Sequence, residues 1–321
     1  MSEANKQFKP GRYASIDIGT VTCRMLVADV DSTGAMNELA RGYTICNLGE
    51  DVDKTGVLKE TAMQRVIDAL KTFKEKLETF EPAAGAKIPL TAVATSAARD
   101  TANAEDFVRR VEELGIDLHV IPGEKEASLS FKGVSKDFPG QKIAVVDVGG
   151  GSTEIVLGSA QQEPSRMHSF NIGCRRATER FLHSDPPRPE EMDEVRAWVR
   201  DEMRPFFQDV IKSGFRFDTL VAVAGTATSV VAMHEKMEDY DSSRVHKTVV
   251  DKDYLREVFE EAAALPLTQR KKLPGLDPGR APVIVAGLLI LQEVLDLAQV
   301  QSFTVSESDI LHGIILDAAH N

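Results

Sequence analysis

A chain of 321 residues is long enough for two domains, each with a core of its own. Its 42% hydrophobic and 27% charged residues are those of an ordinary globular protein, and a net charge of −12 argues against general nucleic-acid binding, so an anionic ligand must be met by a local basic pocket. Three widely spaced cysteines, Cys23, Cys46 and Cys174, form neither a disulfide framework nor a zinc pattern, and the longest apolar run, 283–291, is too short for a bilayer.

The cysteines therefore read as reduced thiols. With a polar N-terminus that lacks an apolar signal core, this predicts a cytoplasmic protein with no membrane and no nucleic-acid partner. From Tyr13, the run ASIDIGTVTCRMLVADV predicts a strand ending at Asp17, a turn at Gly19 flanked by Thr20 and Thr22, and a strand over Met25–Val30. Arg24 suits a phosphate contact and a solvated strand position equally.

Glu60–Phe80 carries Met63, Val66, Ile67, Leu70, Phe73 and Leu77 at helical spacing, which is core packing and no chemistry. A strand over Pro89–Ala94 is closed by Thr95, Ser96 and Arg99, and a helix is expected over 104–114. Ligands of open α/β sheets sit at such strand ends, so Arg99 is a better ligand candidate than Arg109 or Arg110, adjacent in that helix. The strand Ile116–Ile121 is broken by Pro122-Gly123, after which Glu124 and Glu126 open another helix. Acids in a first turn are favoured by the helix dipole alone. The place of Glu126 at the junction of two repeated units nevertheless makes it a candidate to orient and deprotonate a water.

The centre of the chain is IAVVDVGGGSTEIVLG, residues 143–158. A β-branched strand ends at Asp147, three glycines follow, then Ser152, Thr153 and Glu154 open a second strand. Glycines without Cβ let successive N–H groups of Gly149, Gly150, Gly151 and Ser152 turn into one concavity, which suits phosphate. Asp147 and Glu154 bracket the loop as hard oxygen ligands for Mg²⁺ or Mn²⁺. The same form, apolar strand, Asp-x-Gly, hydroxyl residues, apolar strand, recurs 130 residues apart at Asp17 and Asp147. That repeat predicts two domains of one kind, with the two Asp-turns facing each other across a cleft.

A packing helix is expected over 190–211. The strand Leu220–Ala224 then runs into Gly225 and Thr226 before a helix from about Thr228, a second phosphate-binding device built on a helix N-terminus. In the proline-rich loop 265–280, Arg270, Lys271 and Lys272 suit either solvated charge or a path for an extended anion. A buried helix over 283–295, a strand over 302–305 and a last helix through Leu316 complete the chain.

These pieces together resemble the exopolyphosphatase and guanosine pentaphosphate phosphatase (Ppx/GppA) family, of the acetate and sugar kinase, Hsp70 and actin superfold. The resemblance rests on DIGTVTCRM, ATSAARDTAN, IPGEKEA, DVGGGSTE, IGCRRATERF, AGTATS, DPGRAPVIVAGLLIL and VSESDILHG in that order. It implies an α/β protein of two ribonuclease H-like domains, 1–122 and 123–306, with the last helix, about 307–321, packing back on the first and the active site in the interdomain cleft. It implies Glu126 as the acid that activates water, Asp147 and Glu154 as magnesium residues, and Gly149, Gly150, Gly151, Ser152, Gly225 and Thr226 as phosphate-loop residues. Arg24 and Arg99 match phosphate contacts, and Arg280 does so more weakly.

The chain departs from the family pattern in two places. Val21 stands where the first loop usually has asparagine, and His312 stands where the closing motif usually carries arginine. The extra C-terminal helical domain of longer relatives is expected to be missing. The function expected is an exopolyphosphatase, a phosphoanhydride hydrolase acting with Mg²⁺ and a Glu-activated water on inorganic polyphosphate. Alternatives are a pppGpp 5′-phosphohydrolase, a kinase of the same superfold and a non-catalytic polyphosphate- or alarmone-binding paralogue; a homodimer is left open.

Overall fold

The computed structural model of the chain describes residues 8–80 and 87–320. These fall into two compact units, one running to Val134 and resuming at Asp309, the other spanning Ser135–Ser308.

In the first unit, β1 (Gly11–Ile18) and β2 (Thr22–Val30) form a tight antiparallel hairpin with β3 (Met36–Ile45) beside β2. The helices α1 (Val52–Thr55) and α2 (Glu60–Glu78) follow. Next, β4 (Leu90–Ala94) returns parallel to β1, and α3 (Ser96–Arg99) and α4 (Ala104–Glu112) lead to β5 (Leu118–Val120) and α5 (Gly123–Ser135). The strand order is β3-β2-β1-β4-β5. The periodic face of α2 closes the core, burying Met63, Val66, Ile67, Leu70 and Phe73 against Ile16, Met25 and Val27. The sequence pattern gave no hint of β3. It is an edge strand, half-exposed along its length, so it lacks the apolar run by which a central strand announces itself.

The second unit opens with the meander β6 (Lys142–Val148), β7 (Thr153–Ser159) and β8 (Arg166–Phe170), followed by α6 (Cys174–Phe181) and the long α7 (Pro189–Lys212). Then come β9 (Thr219–Val223) parallel to β6, α8 (Ala224–His234), α9 (Ser242–Val245), β10 (Val249–Asp251), α10 (Lys252–Ala264), α11 (Leu267–Arg270), α12 (Ile284–Leu297) and β11 (Ser302–Val305). Its strand order is β10-β11-β9-β6-β7-β8. Reading β8-β7-β6-β9-β11 against β3-β2-β1-β4-β5 shows one topology twice, antiparallel on the meander side and parallel on the other, with β10 added at an edge. The 130-residue repeat in sequence is thus a repeat of sheets.

The final helix, α13 (Ile310–His320), belongs to the first unit, where Leu311, Ile315 and Ala319 pack on Tyr13, Leu26 and Ala28. Leu129 of α5 packs with Val93, Ile310 and Ile314. That contact carries α5, and Glu126 on it, into the first unit. The division therefore falls after Val134, where the sequence placed it after residue 122.

One feature differs chemically from the sequence expectation. Arg270 is buried, and its guanidinium donates to the carbonyls of Ala262 at 2.8 Å and Leu265 at 2.7 Å, so it ties down its own loop and offers no path for an anion. The three cysteines are buried free thiols, as expected. Among the described residues no helix is long and apolar enough to cross a membrane.

His312, the departure in the closing motif, is buried on α13 with its Nε2 2.8 Å from the Glu38 carboxylate and its Nδ1 3.7 Å from that of Asp309. Burial opposes a charged ring, but Asp309 and Glu38 outweigh it and raise the pKa of His312. Glu38, although desolvated by burial, is held down to about 2 by His312 and Arg41. A raised histidine contributes stability that is complete below its unfolded value, about 6.5, and is lost as pH climbs through the folded value. The melting temperature should therefore decline as pH rises above about 6.5, and His312→Gln should remove that part of the decline. An unchanged slope in thermal melts of the variant would mean that the ring is neutral in the folded protein.

Candidate functional site

The triglycine hairpin of the second unit is built by cross-strand register. Asp147 on β6 lies directly opposite Glu154 on β7, with Val148 opposite Thr153. Directly paired side chains of antiparallel strands share a face, their Cβ atoms roughly 5 Å apart. Both carboxylates are buried, and Glu154 Oε1 accepts the Ser169 hydroxyl from β8 at 2.6 Å. Two buried carboxylates this close repel one another unless a proton or a cation sits with them. Among the described residues no three His, Cys, Asp or Glu side chains form a metal cage. Two carboxylates do, however, fit Mg²⁺, which keeps several waters and completes its shell with phosphate oxygens. Asp147 and Glu154 are the residues that would hold it.

The loop between them is fixed in an unexpected way. Gly149 N–H closes the hairpin on the Ser152 carbonyl at 3.0 Å, so this amide serves the turn and not a ligand. The carbonyls of the three glycines are all taken by α6. Cys174 N–H donates to Gly149 O at 2.9 Å, Arg175 N–H to Gly150 O at 2.9 Å, and Arg176 Nε to Gly151 O at 2.9 Å. In a trans peptide the next residue's N–H points opposite to the carbonyl. The amides of Gly150, Gly151 and Ser152 are thereby aimed away from α6.

Beside this hairpin, β9 runs parallel to β6 with Val223 next to Asp147, so the first turn of α8 emerges at the same sheet edge. The sequence predicts a short loop before this helix. Instead α8 begins at Ala224, whose φ of +64° is a left-handed value that a non-glycine residue adopts at a cost, a strain common at functional sites. Gly225 follows. A Cβ there would overlap the Arg280 guanidinium, which lies flat against the turn. The Thr226 side chain is buried against Gly287 of α12, which leaves its backbone amide as the group available at the helix N-terminus.

In the first unit the equivalent hairpin has a different partner. Asp17 lies opposite Arg24, as Asp147 lies opposite Glu154, but here the pair is an ion pair, with Arg24 Nη2 2.6 Å from Asp17 Oδ2. The other side of the same guanidinium bonds Asp309. Arg24, expected to contact phosphate, is thus committed to two buried carboxylates. Asp309 is held well below the carboxylate range by Arg24 and His312 in spite of burial, whereas burial outweighs Arg24 at Asp17 and raises it. Thr95 follows β4 at the same sheet edge, and the short α3 brings Arg99 Nη1 to 3.1 Å from the Ile121 carbonyl and 3.3 Å from the Glu126 carboxylate. Arg99 and Glu126 are therefore brought together within the first unit, with Glu126 9% exposed in the first turn of α5.

Gly173, Arg176 and Asp309 were missed as site residues. Gly173 and Arg176 lie in NIGCRRATERF, a stretch whose periodicity is that of any short helix, and their partners are backbone atoms that leave no mark in a sequence.

A profile of the Ppx/GppA phosphatase family matches residues 26–321. Exopolyphosphatase 2 of Mycobacterium tuberculosis is 38% identical, over 96% of this chain and 98% of its own. Among solved structures, an exopolyphosphatase-like protein superposes with a TM-score of 0.87 at 32% identity, over 97% of this chain and 98% of its own. A Ppx/GppA family member from Aquifex aeolicus gives a TM-score of 0.78 at 30% identity, over 96% of this chain and 97% of its own. The fold of both units is that of the actin-like superfold these structures share.

Asp147→Asn and Glu154→Gln should each abolish the rise in melting temperature on Mg²⁺ titration. A Mg²⁺-induced rise of wild-type size in both variants would place the cation elsewhere.

Proposed function

The chain belongs to the Ppx/GppA phosphatase family, and on that premise we propose that it is an exopolyphosphatase, removing the terminal phosphate of inorganic polyphosphate by Mg²⁺-assisted hydrolysis. The observation that carries the proposal is the register of β6 and β7, which sets Asp147 opposite Glu154 across a loop whose carbonyls are bonded from α6. Likeness to the mycobacterial exopolyphosphatase supports the choice of substrate.

Phosphoryl transfer asks mainly for positioning and charge neutralisation. In this proposal the amides of Gly150, Gly151 and Ser152 hold the terminal phosphoryl group, assisted by the first-turn amides of Gly225 and Thr226 and by the Arg280 guanidinium lying against them. Asp147 and Glu154 would hold a divalent cation, which would supply neutralisation of the phosphate oxygens. Glu126 accepts a proton from the attacking water, whose oxygen bonds to phosphorus as the bridging P–O bond breaks. The shortened chain leaves with that bond's electron pair. Arg99, 3.3 Å from the Glu126 carboxylate, orients the base and keeps it from swinging away.

Glu126→Gln removes the base and keeps the shape. Phosphate release from polyphosphate of defined length should fall by about 10²- to 10⁴-fold, with melting temperature and polyphosphate binding retained. Turnover at the wild-type rate would falsify the role of Glu126. Faster release from pppGpp than from polyphosphate by the unmodified enzyme would move the substrate to the nucleotide.

A further inference from the structure

The triglycine loop is held by more than its own hairpin. Its three successive carbonyls are each bonded from α6: Gly149 O by Cys174 N–H at 2.9 Å, Gly150 O by Arg175 N–H at 2.9 Å and Arg176 N–H at 3.2 Å, and Gly151 O by Arg176 Nε at 2.9 Å. The first amides of any helix lack partners inside it. Here they find them in the loop, and the single side chain that extends the series is that of Arg176. The approach is so close that a Cβ on Gly173, the residue before α6, would overlap the backbone of Gly150 and Gly151. Three-glycine segments are otherwise the most conformationally free a chain can have.

We propose that Arg176 is a positioning residue: its Nε completes a clamp, begun by the first turn of α6, that turns the loop's carbonyls to one side and so presents the amides of Gly150, Gly151 and Ser152 to a phosphoryl group on the other. Arg176 acts through the loop backbone and not on the ligand. This deepens the exopolyphosphatase reading and rests on it for the identity of the anion. The carbonyl of Gly151 and the amide of Ser152 share one peptide plane, so losing the Arg176 bond frees that plane to rotate.

The substitution that isolates the clamp is Arg176→Gln. Its Nε2 stands the same number of bonds from Cα as the arginine Nε, so the donor is kept while the charge is removed. Arg176→Met keeps the stem, fills the same space and removes donor and charge together. Amide resonances of Gly150, Gly151 and Ser152 would be followed in ligand-free protein and during titration with orthophosphate, a probe that is not turned over.

In the wild type, orthophosphate should shift the three amides. If it shifts none of them, the phosphate-loop reading itself falls, and the clamp's purpose with it. With that shift in hand, Arg176→Met should displace or broaden the Gly151 and Ser152 resonances before any ligand is added and weaken phosphate by about tenfold, the effect of one lost hydrogen bond. Arg176→Gln should keep both close to wild type. If the glutamine variant instead behaves like the methionine variant, charge alone matters and the clamp is overturned, as it is if the methionine variant binds within twofold of wild type with unmoved resonances. Should Arg176→Met not fold, the ligand-free spectrum of Arg176→Gln decides: unmoved loop amides support the clamp and displaced ones overturn it.

Discussion

The acidic residues of both Asp-turns are placed by one constraint, the register of an antiparallel hairpin. In each unit the aspartate next to the end of the first strand is paired across the turn with the residue seven positions later. Cross-strand pairing then leaves no freedom about which side chains meet. In the first unit Asp17 meets an arginine and the pair neutralises itself, with Asp309 added on the far side of the guanidinium. In the second unit Asp147 meets Glu154, and the same geometry sets two buried carboxylates side by side. One fold repeated twice thus pairs an acid with a base in one copy and an acid with an acid in the other.

The glycines between Asp147 and Glu154 are usually credited with flexibility, but in this structure they are held still. Flexibility would defeat an anion site, because amides that must be ordered on binding cost free energy at that moment. The carbonyls of the loop are engaged by α6, so the amide direction is settled before a ligand arrives. At the neighbouring strand end the backbone is held in the same way, with Ala224 in a strained left-handed conformation and the Arg280 guanidinium against Gly225, where the missing Cβ admits it close to the main chain.

Arginine is used in this chain mostly on itself. Arg24 bridges two carboxylates, Arg270 bonds carbonyls of its own loop, Arg176 bonds the Gly151 carbonyl, and Arg200 on α7 forms a fork with the buried Glu293 of α12, one arm 2.9 Å long. A protein of net charge −12 that handles an anion therefore cannot be read by counting its cations. The guanidinium's fixed set of donors serves structure and ligand equally well, and only the partner distinguishes the two.

The sequence by itself determined the repeat, the two sheets' central strands, the amphipathic α2 and α7, the triglycine turn with its flanking acids, and the family. Each of these is written in local periodicity or in residue types that only one backbone conformation accepts. Edge strands such as β3 escaped because half-exposed strands need no apolar signature. The tertiary structure alone decided that Glu126 travels with the first unit, since Leu129 packs on Val93, Ile310 and Ile314. It alone decided that Arg24 is spent on Asp17 and Asp309, and that Arg176 reaches the carbonyl of Gly151. Apart from the hairpin pair of Asp17 and Arg24, these outcomes depend on contacts between residues 25 to nearly 300 positions apart or on backbone atoms that every residue possesses, and neither leaves a trace in composition or spacing.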